Sequence, residues 1–404
     1  MIDEAFVYIF LAGDWVPCGF VQFHEEGRFA YSEFRYGKKY LEREDKLSID
    51  PAHLPLLDKT FQTEEGMYIF NGVRDAGPDK WGRYLLDKKF DRGISELEYI
   101  ASVGPDRVGA IAFGPNATDG PRKSGTNGWE PYVGRRLSLE ICVDGVEDAI
   151  KNESTEKLKT YLDYGPSLGG ARPKATVDWK NSSYLAKFSI SLDEKDEPLI
   201  EYATMKLAKS CGLNVPKLDY VTVLNKSVYL IERFDRDKKG NPIPFISALS
   251  ATGLAENDYQ DWSYFKICDA IKKLSPTPKE DLKELFSRLV FNICVYNNDD
   301  HMRNHGFLYA DNNQWSLSPL YDVVPGIIST STYALAMTFG DEGKKASIQN
   351  ARSRCGDFSL EKDDAQEIVN KISKKVKNWE KRFSLEGVKA NDIGRLRNSF
   401  KEKE

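Results

Sequence analysis

The sequence contains no uninterrupted apolar run of the roughly 20 residues that a membrane-spanning helix needs. Acidic residues, not basic ones, precede the short apolar stretch at the N-terminus, so it does not resemble a secretory signal. The six cysteines are scattered and form no Cys-x-x-Cys pair, which argues against a disulfide framework or a cysteine-rich zinc site. These absences predict a cytoplasmic protein with reduced thiols and no membrane association.

Excess charge and sequence repetition are also missing. A formal net charge of −5 argues against a protein whose whole surface binds nucleic acid, although it leaves room for a local basic patch. The chain has no internal repeat and no low-complexity tract, which excludes solenoids and disordered arrays. What remains is a chain of 404 residues, long enough for two or three globular domains.

Apolar periodicity divides the chain into regions. Residues 5–35 alternate apolar and polar positions with many aromatics, which predicts a small antiparallel sheet. Residues 114–135 are rich in Gly, Pro, Asn and Ser, which predicts a linker. Segments 198–211 and 279–297 have the spacing of amphipathic helices, and so does the C-terminal stretch 359–383. This pattern predicts an α+β protein whose C-terminal part is mainly helical.

Two polar features lie in the middle of the chain. The small-residue segment SLGGARPK at 167–174 is suited to bring backbone N–H groups close to phosphate oxygens, although such a segment taken alone is more often an ordinary turn. Lys187 follows in the apolar run YLAKF and is suited to pair with α- and β-phosphates, with Glu201 as its orienting partner. The alternative for an isolated lysine of this kind is an edge-strand residue that points to water.

A third feature is the segment YLIERFDR, where an apolar strand runs into charged residues at 232–236. In a kinase, such a segment presents backbone groups to adenine. The alternative is a strand end followed by solvated charges.

The fourth feature, NDDHMRNH, carries the most chemistry. Asp299 precedes Asn304 by five positions, the spacing of a protein-kinase catalytic loop, and Asp322 follows a predicted hairpin. The alternative interpretation is a polar helix-capping loop. A zinc site is a weaker alternative, because His301 and His305 lack a clear third ligand.

Phosphoryl transfer needs this combination of residue types. One carboxylate orients the incoming hydroxyl and accepts its proton, which is the role predicted for Asp299. A second carboxylate and an amide oxygen hold magnesium, a hard cation that prefers oxygen ligands, and Asp322 and Asn304 supply them. The sequence therefore predicts an ATP- and magnesium-dependent kinase that phosphorylates a hydroxyl on another macromolecule.

The ordered motifs resemble the HipA-type serine/threonine kinases, the toxins of bacterial toxin–antitoxin modules. The resemblance covers nearly the whole chain and rests on SLGGARPKA, YLAKF, IEYATMKLAKSCGLNVP, YLIERFDR, NDDHMRNHGFL and LSPLYDVV. It implies a two-lobed, protein-kinase-like α+β fold with an additional N-terminal β-rich domain and a mainly helical C-terminal lobe. The implied domains are a β-rich domain at 1–115, a kinase N-lobe with Gly-rich loop and hinge at 116–245, and a helical C-lobe at 246–404.

The resemblance also implies residue roles. Asp299 would be the catalytic base, Asn304 and Asp322 the magnesium ligands, and Ser167 a site of inactivating autophosphorylation. A phosphate on Ser167 would add about −1.5 to −2 charge beside the ATP phosphates. The residues expected to contact ATP are Gly169, Gly170, Ala171, Arg172, Pro173, Lys174, Lys187, Glu232, Arg233, Phe234, His301, Asn304 and Asp322.

Family members act on aminoacyl-tRNA synthetases and are restrained by a small helix-turn-helix antitoxin, so a protein substrate, such an antitoxin and indirect DNA contact through it are the partners implied here. The sequence departs from the family at Arg303, where lysine is usual, and at Arg172-Pro173, where Gln-Glu is more typical. The second departure leaves open whether the loop regulates the enzyme.

Two other functions stay open at this stage. One is a small-molecule phosphotransferase, which shares the Asp-x-x-x-x-Asn logic. The other is a pseudokinase that only binds an antitoxin or DNA, although every expected catalytic residue type is present. The basic stretch at 371–382 is suited to contact DNA phosphates in an antitoxin complex, but a solvated helix face is the better explanation, because charge runs are usually solvated.

Overall fold

A computed structural model describes residues 2–26, 29–64, 66–90, 92–132, 134, 136–164, 172–327 and 333–400. Its contacts group the chain into two units, residues 1–190 with 232–257, and residues 191–231 with 258–404. The predicted three-part division at residues 115 and 245 stays a prediction.

The regular elements alternate along the chain. The strands are β1 Glu4–Leu11, β2 Asp14–Glu26, β3 Phe29–Tyr36, β4 Thr60–Gln62, β5 Ile111–Gly114, β6 Lys123–Gly125, β7 Gly128–Glu130, β8 Lys174–Trp179, β9 Ser182–Phe188, β10 Leu218–Val223, β11 Lys226–Glu232, β12 Phe245–Ser247, β13 Gly306–Asp311 and β14 Gln314–Leu317. The helices are α1 Lys38–Leu41, α2 Asn71–Arg74, α3 Lys80–Phe90, α4 Glu96–Ala101, α5 Leu139–Lys151, α6 Glu156–Tyr164, α7 Glu197–Cys211, α8 Ala248–Thr252, α9 Tyr264–Leu274, α10 Pro278–Val295, α11 Ile348–Ser353, α12 Lys362–Val376, α13 Trp379–Leu385 and α14 Ala390–Leu396.

The first unit begins with the antiparallel sheet that alternation predicts. Its strand order is β4-β3-β2-β1-β5, and each neighbouring pair is antiparallel. Val7, Ile9, Val21 and Phe34 are each at most 1% exposed, so alternate side chains of adjacent strands fill one core. The sheet predicted over residues 5–35 is confirmed.

Helices and hairpins extend this unit. The Trp81 indole on α3 donates to the Tyr161 hydroxyl on α6 at 3.1 Å, and that hydroxyl donates to the Lys174 carbonyl on β8 at 3.0 Å. This chain of hydrogen bonds fixes the start of the hairpin β8–β9 against two helices. The segment predicted as a linker contains the short hairpin β6–β7.

The second unit is built around α10. Its predicted apolar face is confirmed, because Leu282, Leu285, Leu289, Ile293 and Val295 are all at most 1% exposed. Neighbouring helices α9, α11 and α12 pack on it. The predicted helices at 198–211 and 359–383 correspond to α7 and to α12 with α13. Within the described residues, no helix is both long and apolar enough to cross a bilayer.

Candidate functional site

The predicted catalytic segment begins where α10 ends. Tyr296 caps the helix in the left-handed conformation, with φ of 53°, and its N–H donates to the Ile293 carbonyl at 3.2 Å. The Asn297 N–H donates to the Asn292 carbonyl at 2.9 Å, which closes the last turn. Asp299 follows as an exposed residue. The buried helix α10 therefore ends just before Asp299, the predicted base, which lies at the protein surface.

Asn304 folds back onto the residue predicted to be the base. Its side-chain Nδ2 donates to the Asp299 carbonyl at 2.9 Å, and the residue is 6% exposed. Because a carbonyl only accepts hydrogen bonds, this contact assigns the nitrogen to the inner side of the loop and leaves Oδ1 as the atom suited to bind a cation. An amide oxygen is a ligand that magnesium accepts, so Asn304 fits its predicted role.

Asp300 differs sharply from its exposed neighbour. It is 2% exposed, and it accepts hydrogen bonds from the Tyr264 hydroxyl and from His305 Nε2, the latter at 3.0 Å. Asn292 Nδ2 donates to the same Tyr264 hydroxyl at 3.2 Å, and Asn297 Nδ2 donates to Asn292 Oδ1 at 3.3 Å. This buried network joins α9, α10 and the catalytic segment, and it holds the loop from inside.

The strand pair β13–β14 leads to Asp322, the second predicted carboxylate. After this strand pair, the Tyr321 hydroxyl donates to the Arg303 carbonyl at 2.8 Å. Asp322 follows Tyr321, and Asn304 follows Arg303, so this hydrogen bond ties together the two segments that carry the predicted metal ligands. Asp322 is half-buried and has φ of 60°, an uncommon conformation for a residue with a Cβ. These oxygen donors are of the kind that magnesium prefers.

Two further contacts fix the chain on either side of Asp322. The fully buried Arg288 on α10 donates from Nη2 to the Ser318 carbonyl at 2.6 Å. The Gly326 N–H donates to the Tyr296 carbonyl at 2.8 Å, and a Cβ at Gly326 would lie 2.1 Å from Asn298 Oδ1. Only glycine allows this approach without displacing the loop.

In the first unit, two predicted phosphate-binding lysines face each other. Lys174 on β8 pairs directly with Lys187 on β9, so both side chains lie on one face of the hairpin. They are 5% and 6% exposed, respectively. The Phe188 N–H donates to the Pro173 carbonyl at 3.2 Å and continues the pairing. Two ammonium groups on one face are suited to an anion such as a polyphosphate, and the phosphate-binding role of both residues stays a prediction.

Arg233, predicted to contact the nucleotide, has its side chain engaged elsewhere. Its guanidinium donates to Asp235 from Nε at 2.9 Å and from Nη2 at 2.7 Å, and to Asp106 from Nη1 at 3.1 Å. Its N–H donates to the Ser183 carbonyl at 2.9 Å. Any direct contact of Arg233 with a nucleotide is therefore left to its carbonyl group.

The pKa of the Asp235 carboxyl group is lowered by the arginines around it. Burial alone would raise its pKa, but the Arg233 and Arg236 guanidinium groups outweigh burial and lower it to about 2. Asp106, which accepts from both arginines as well, also has a pKa below its usual range, because Arg233, Arg136 and Arg236 outweigh its burial. The ionised carboxylates are thus part of the folded state.

Acid is expected to destabilise the first unit, which contains Asp235. Because the folded pKa of Asp235 lies below its unfolded value of 3.8, its contribution is fully present above pH 4 and is lost as the pH falls through 3.8 toward 2. The full loss, which is reached below pH 2, is about 2 kcal/mol of unfolding free energy, and about half of it is expected at pH 3. Urea unfolding at pH 7, 4 and 3 measures it. Asp235→Asn should flatten this part of the profile, and an equally steep fall in that variant would exclude Asp235 as its source.

The structure distributes the remaining predicted residues over both units. His301 is half-buried and lies beside Trp262, with ring centroids 6.1 Å apart, in the same unit as Asp299, Asn304 and Asp322. Lys174, Lys187, Arg172, Pro173, Glu232, Arg233 and Phe234 belong to the first unit, and Glu201 lies buried on α7 of the second. Ser167, Gly169, Gly170 and Ala171 lie outside the described residues.

Sequence reasoning missed the residues that hold the loop. Asp300 and His305 lie in the NDDHMRNH block, but their partner Tyr264 precedes Asp300 by 36 positions. Within the NDDHMRNH block, the sequence signal for this network was a second acid, Asp300, followed five residues later by a histidine, His305.

Comparison with known proteins identifies the family. A model of the HipA-like C-terminal domain matches residues 166–379. A Haemophilus influenzae protein named "Putative kinase" is 25% identical over 227 residues, 50% of this chain and 66% of that protein. The "Serine/threonine-protein kinase toxin HipA" of Shewanella oneidensis is 24% identical over 295 residues, 66% of this chain and 65% of that protein. The chain thus matches slightly less than two thirds of the length of these relatives.

A solved structure agrees over a longer stretch. HipA in the Shewanella oneidensis complex of HipA, HipB and operator DNA superposes with a TM-score of 0.70 at 16% identity, covering 98% of this chain and 95% of that one. This likeness confirms the predicted α+β kinase-like fold. Because the HipA-like domain match spans more than half of the 404 residues, the chain belongs to the HipA-like kinase family.

Proposed function

We propose that this protein is an ATP- and magnesium-dependent serine/threonine protein kinase. The observation that carries the proposal is the loop at the end of α10, where an exposed Asp299 is tied through its carbonyl to the amide of Asn304. An accessible carboxylate beside an oriented amide oxygen is what a hydroxyl acceptor and a cation require.

The proposed roles follow from these positions. Magnesium and ATP, when bound, supply charge neutralisation and the phosphoryl group. Asp299 orients the acceptor hydroxyl and takes its proton, while Asn304 and Asp322 hold the metal through oxygen atoms. Lys187 and Lys174 bind phosphate oxygens. His301 contacts the nucleotide from the loop, and the backbone of 232–234 contacts the adenine.

The biological role is proposed from the family. The protein acts as a growth-arresting toxin in the cytoplasm, and its substrate is a translation component such as an aminoacyl-tRNA synthetase. A small helix-turn-helix antitoxin restrains it and provides the only link to DNA. The match to a HipA protein crystallised with HipB and operator DNA supports this choice of partner.

Self-inactivation is the first test of the proposal. Purified protein incubated with labelled ATP and magnesium is expected to incorporate phosphate at Ser167, because the Ser167 segment leads directly into the Lys174 strand. Mass spectrometry of the intact chain and its peptides locates the phosphate, with Ser167→Ala as the control. Phosphate at other residues only would remove Ser167 as the regulatory site, and no transfer to any tested protein would count against the kinase itself.

A further inference from the structure

Three arginines from distant parts of the first unit share the carboxylate of Asp106. Its Oδ1 accepts from Arg233 Nη1 and from Arg236 Nη2, each at 3.1 Å, and its Oδ2 accepts from Arg136. The side chain of Asp106 is 13% exposed, and those of Arg233 and Arg236 are 3% and 7% exposed. Hydrogen bonds between ionised groups are roughly twice as strong as neutral ones. Asp106 therefore holds the two arginines that follow β11.

The backbone next to Asp106 makes further contacts with the same segment. The Arg107 carbonyl accepts from Arg233 Nη2 at 2.6 Å and from Arg236 Nη2 at 2.8 Å. The Gly109 N–H donates to a carboxylate oxygen of the residue between these two arginines at 2.9 Å. The segment that precedes β5 therefore binds the segment that follows β11 through both side-chain and backbone groups.

Arg233 also contacts the hairpin that carries the two phosphate-binding lysines proposed above. Its Nη1 donates to Thr176 Oγ1 on β8 at 3.3 Å, and its N–H donates to the Ser183 carbonyl on β9 at 2.9 Å. Thr176 lies two positions after Lys174 on β8, so both point to the same face about 7 Å apart. Lys187 lies on β9. Arg233 thus links the end of β11 to both strands that carry the lysines.

We propose that Asp106 is a positioning residue of the nucleotide site, which holds the backbone of 232–234 where it contacts adenine. The inference rests on the proposed function, in which this backbone binds the base and the two lysines bind the phosphates. A hydrogen bond weakens steeply when its distance or angle changes, so a displaced backbone would bind the base poorly while the lysines still bind phosphate. Asp106 acts through the two arginines that follow β11 and does not itself contact the nucleotide.

Arg136 makes a matched set of variants possible. Its side chain is 29% exposed, and its Nε donates to Asp178 at 3.1 Å. Arg136→Gln leaves both arginine contacts of Asp106 Oδ1 in place and serves as the control. Adding Asp106→Ala to this variant removes the shared acceptor, and together the two changes remove one charge of each sign, which limits the number of unpaired buried charges. Adding Asp106→Asn instead keeps one uncharged acceptor oxygen.

The test is calorimetric titration of the full-length protein with a non-hydrolysable ATP analogue and, separately, with inorganic tripolyphosphate, both with magnesium. The temperature is one at which melting curves show every variant to be folded. The variant with Asp106→Ala is expected to bind the ATP analogue about tenfold more weakly than Arg136→Gln, the worth of about one hydrogen bond, and to bind tripolyphosphate equally well. The variant with Asp106→Asn is expected to lose less, about threefold for the ATP analogue.

Two results would overturn the proposal. One is equal affinity for the ATP analogue in Arg136→Gln and in the variant that adds Asp106→Ala. The other is an equal loss of affinity for the ATP analogue and for tripolyphosphate, because Asp106 would then act on the whole fold and not on the base-binding backbone. If the variant with Asp106→Ala does not fold, the same two comparisons are made with Asp106→Asn and decide the proposal in the same way.

Failure of the kinase assignment gives a different result. A wild-type protein that binds the ATP analogue yet transfers no phosphate would overturn catalysis, while the variants would still decide the role of Asp106. A wild-type protein that does not bind the ATP analogue would overturn the proposed function and the role of Asp106 together.

Discussion

Replacing Asp299 with asparagine is expected to lower the rate of phosphoryl transfer by about 10² to 10⁴, the range that a general base contributes. The side chain is exposed, and the contact that shapes the loop uses the Asp299 carbonyl, which the substitution keeps. The fold and nucleotide binding should therefore persist. Rates of labelled phosphate transfer, compared with nucleotide affinity from calorimetry, separate the two effects.

Two results for Asp299→Asn would contradict this prediction. If Asp299→Asn transfers phosphate at the wild-type rate, Asp299 is not the base. If the variant loses nucleotide affinity and stability together with activity, its carboxylate has a structural role that the exposed position does not indicate. Asn298→Asp would be an unsuitable control, because the Asn298 side chain packs against Gly326. Glu25→Gln, an exposed carboxylate of the first sheet, controls for the loss of one negative charge.

Sequence patterns predicted local structure well where one face of an element is buried. The face of α10 follows from the spacing of its leucines, and the end of α7 follows from Gly212, which caps the helix with φ of 92°. The five-residue spacing of Asp299 and Asn304 likewise placed them in one short loop, where the Asn304 amide contacts the Asp299 carbonyl.

Long-range side-chain networks lay beyond the sequence. The sequence predicted that backbone groups around Arg233 contact adenine, but it did not indicate that the Arg233 guanidinium pairs with Asp106, 127 positions earlier. Nothing local distinguishes a charged residue that faces a ligand from one that ties two segments together.

Replacing Asp300 with alanine is expected to lower the free energy of unfolding by about 3 to 5 kcal/mol, the range for breaking a buried pair. The change leaves the Tyr264 hydroxyl and His305 Nε2 without an acceptor, and both residues are 0% exposed. Tyr264→Phe, which removes one donor and keeps the ring, should cost about 1 to 3 kcal/mol. Denaturant unfolding at neutral pH measures both.

The contrast between the two adjacent aspartates is the decisive comparison. Asp299 faces solvent and Asp300 faces Tyr264 and His305, so one substitution should remove the reaction and spare the fold, whereas the other should weaken the fold first. Equal stability of Asp300→Ala and the wild type would show that the buried network does not hold the loop. In that case the position of Asp299 would depend on its carbonyl contact with Asn304 alone, and Asn304→Ala should then displace the base as well as weaken the metal site.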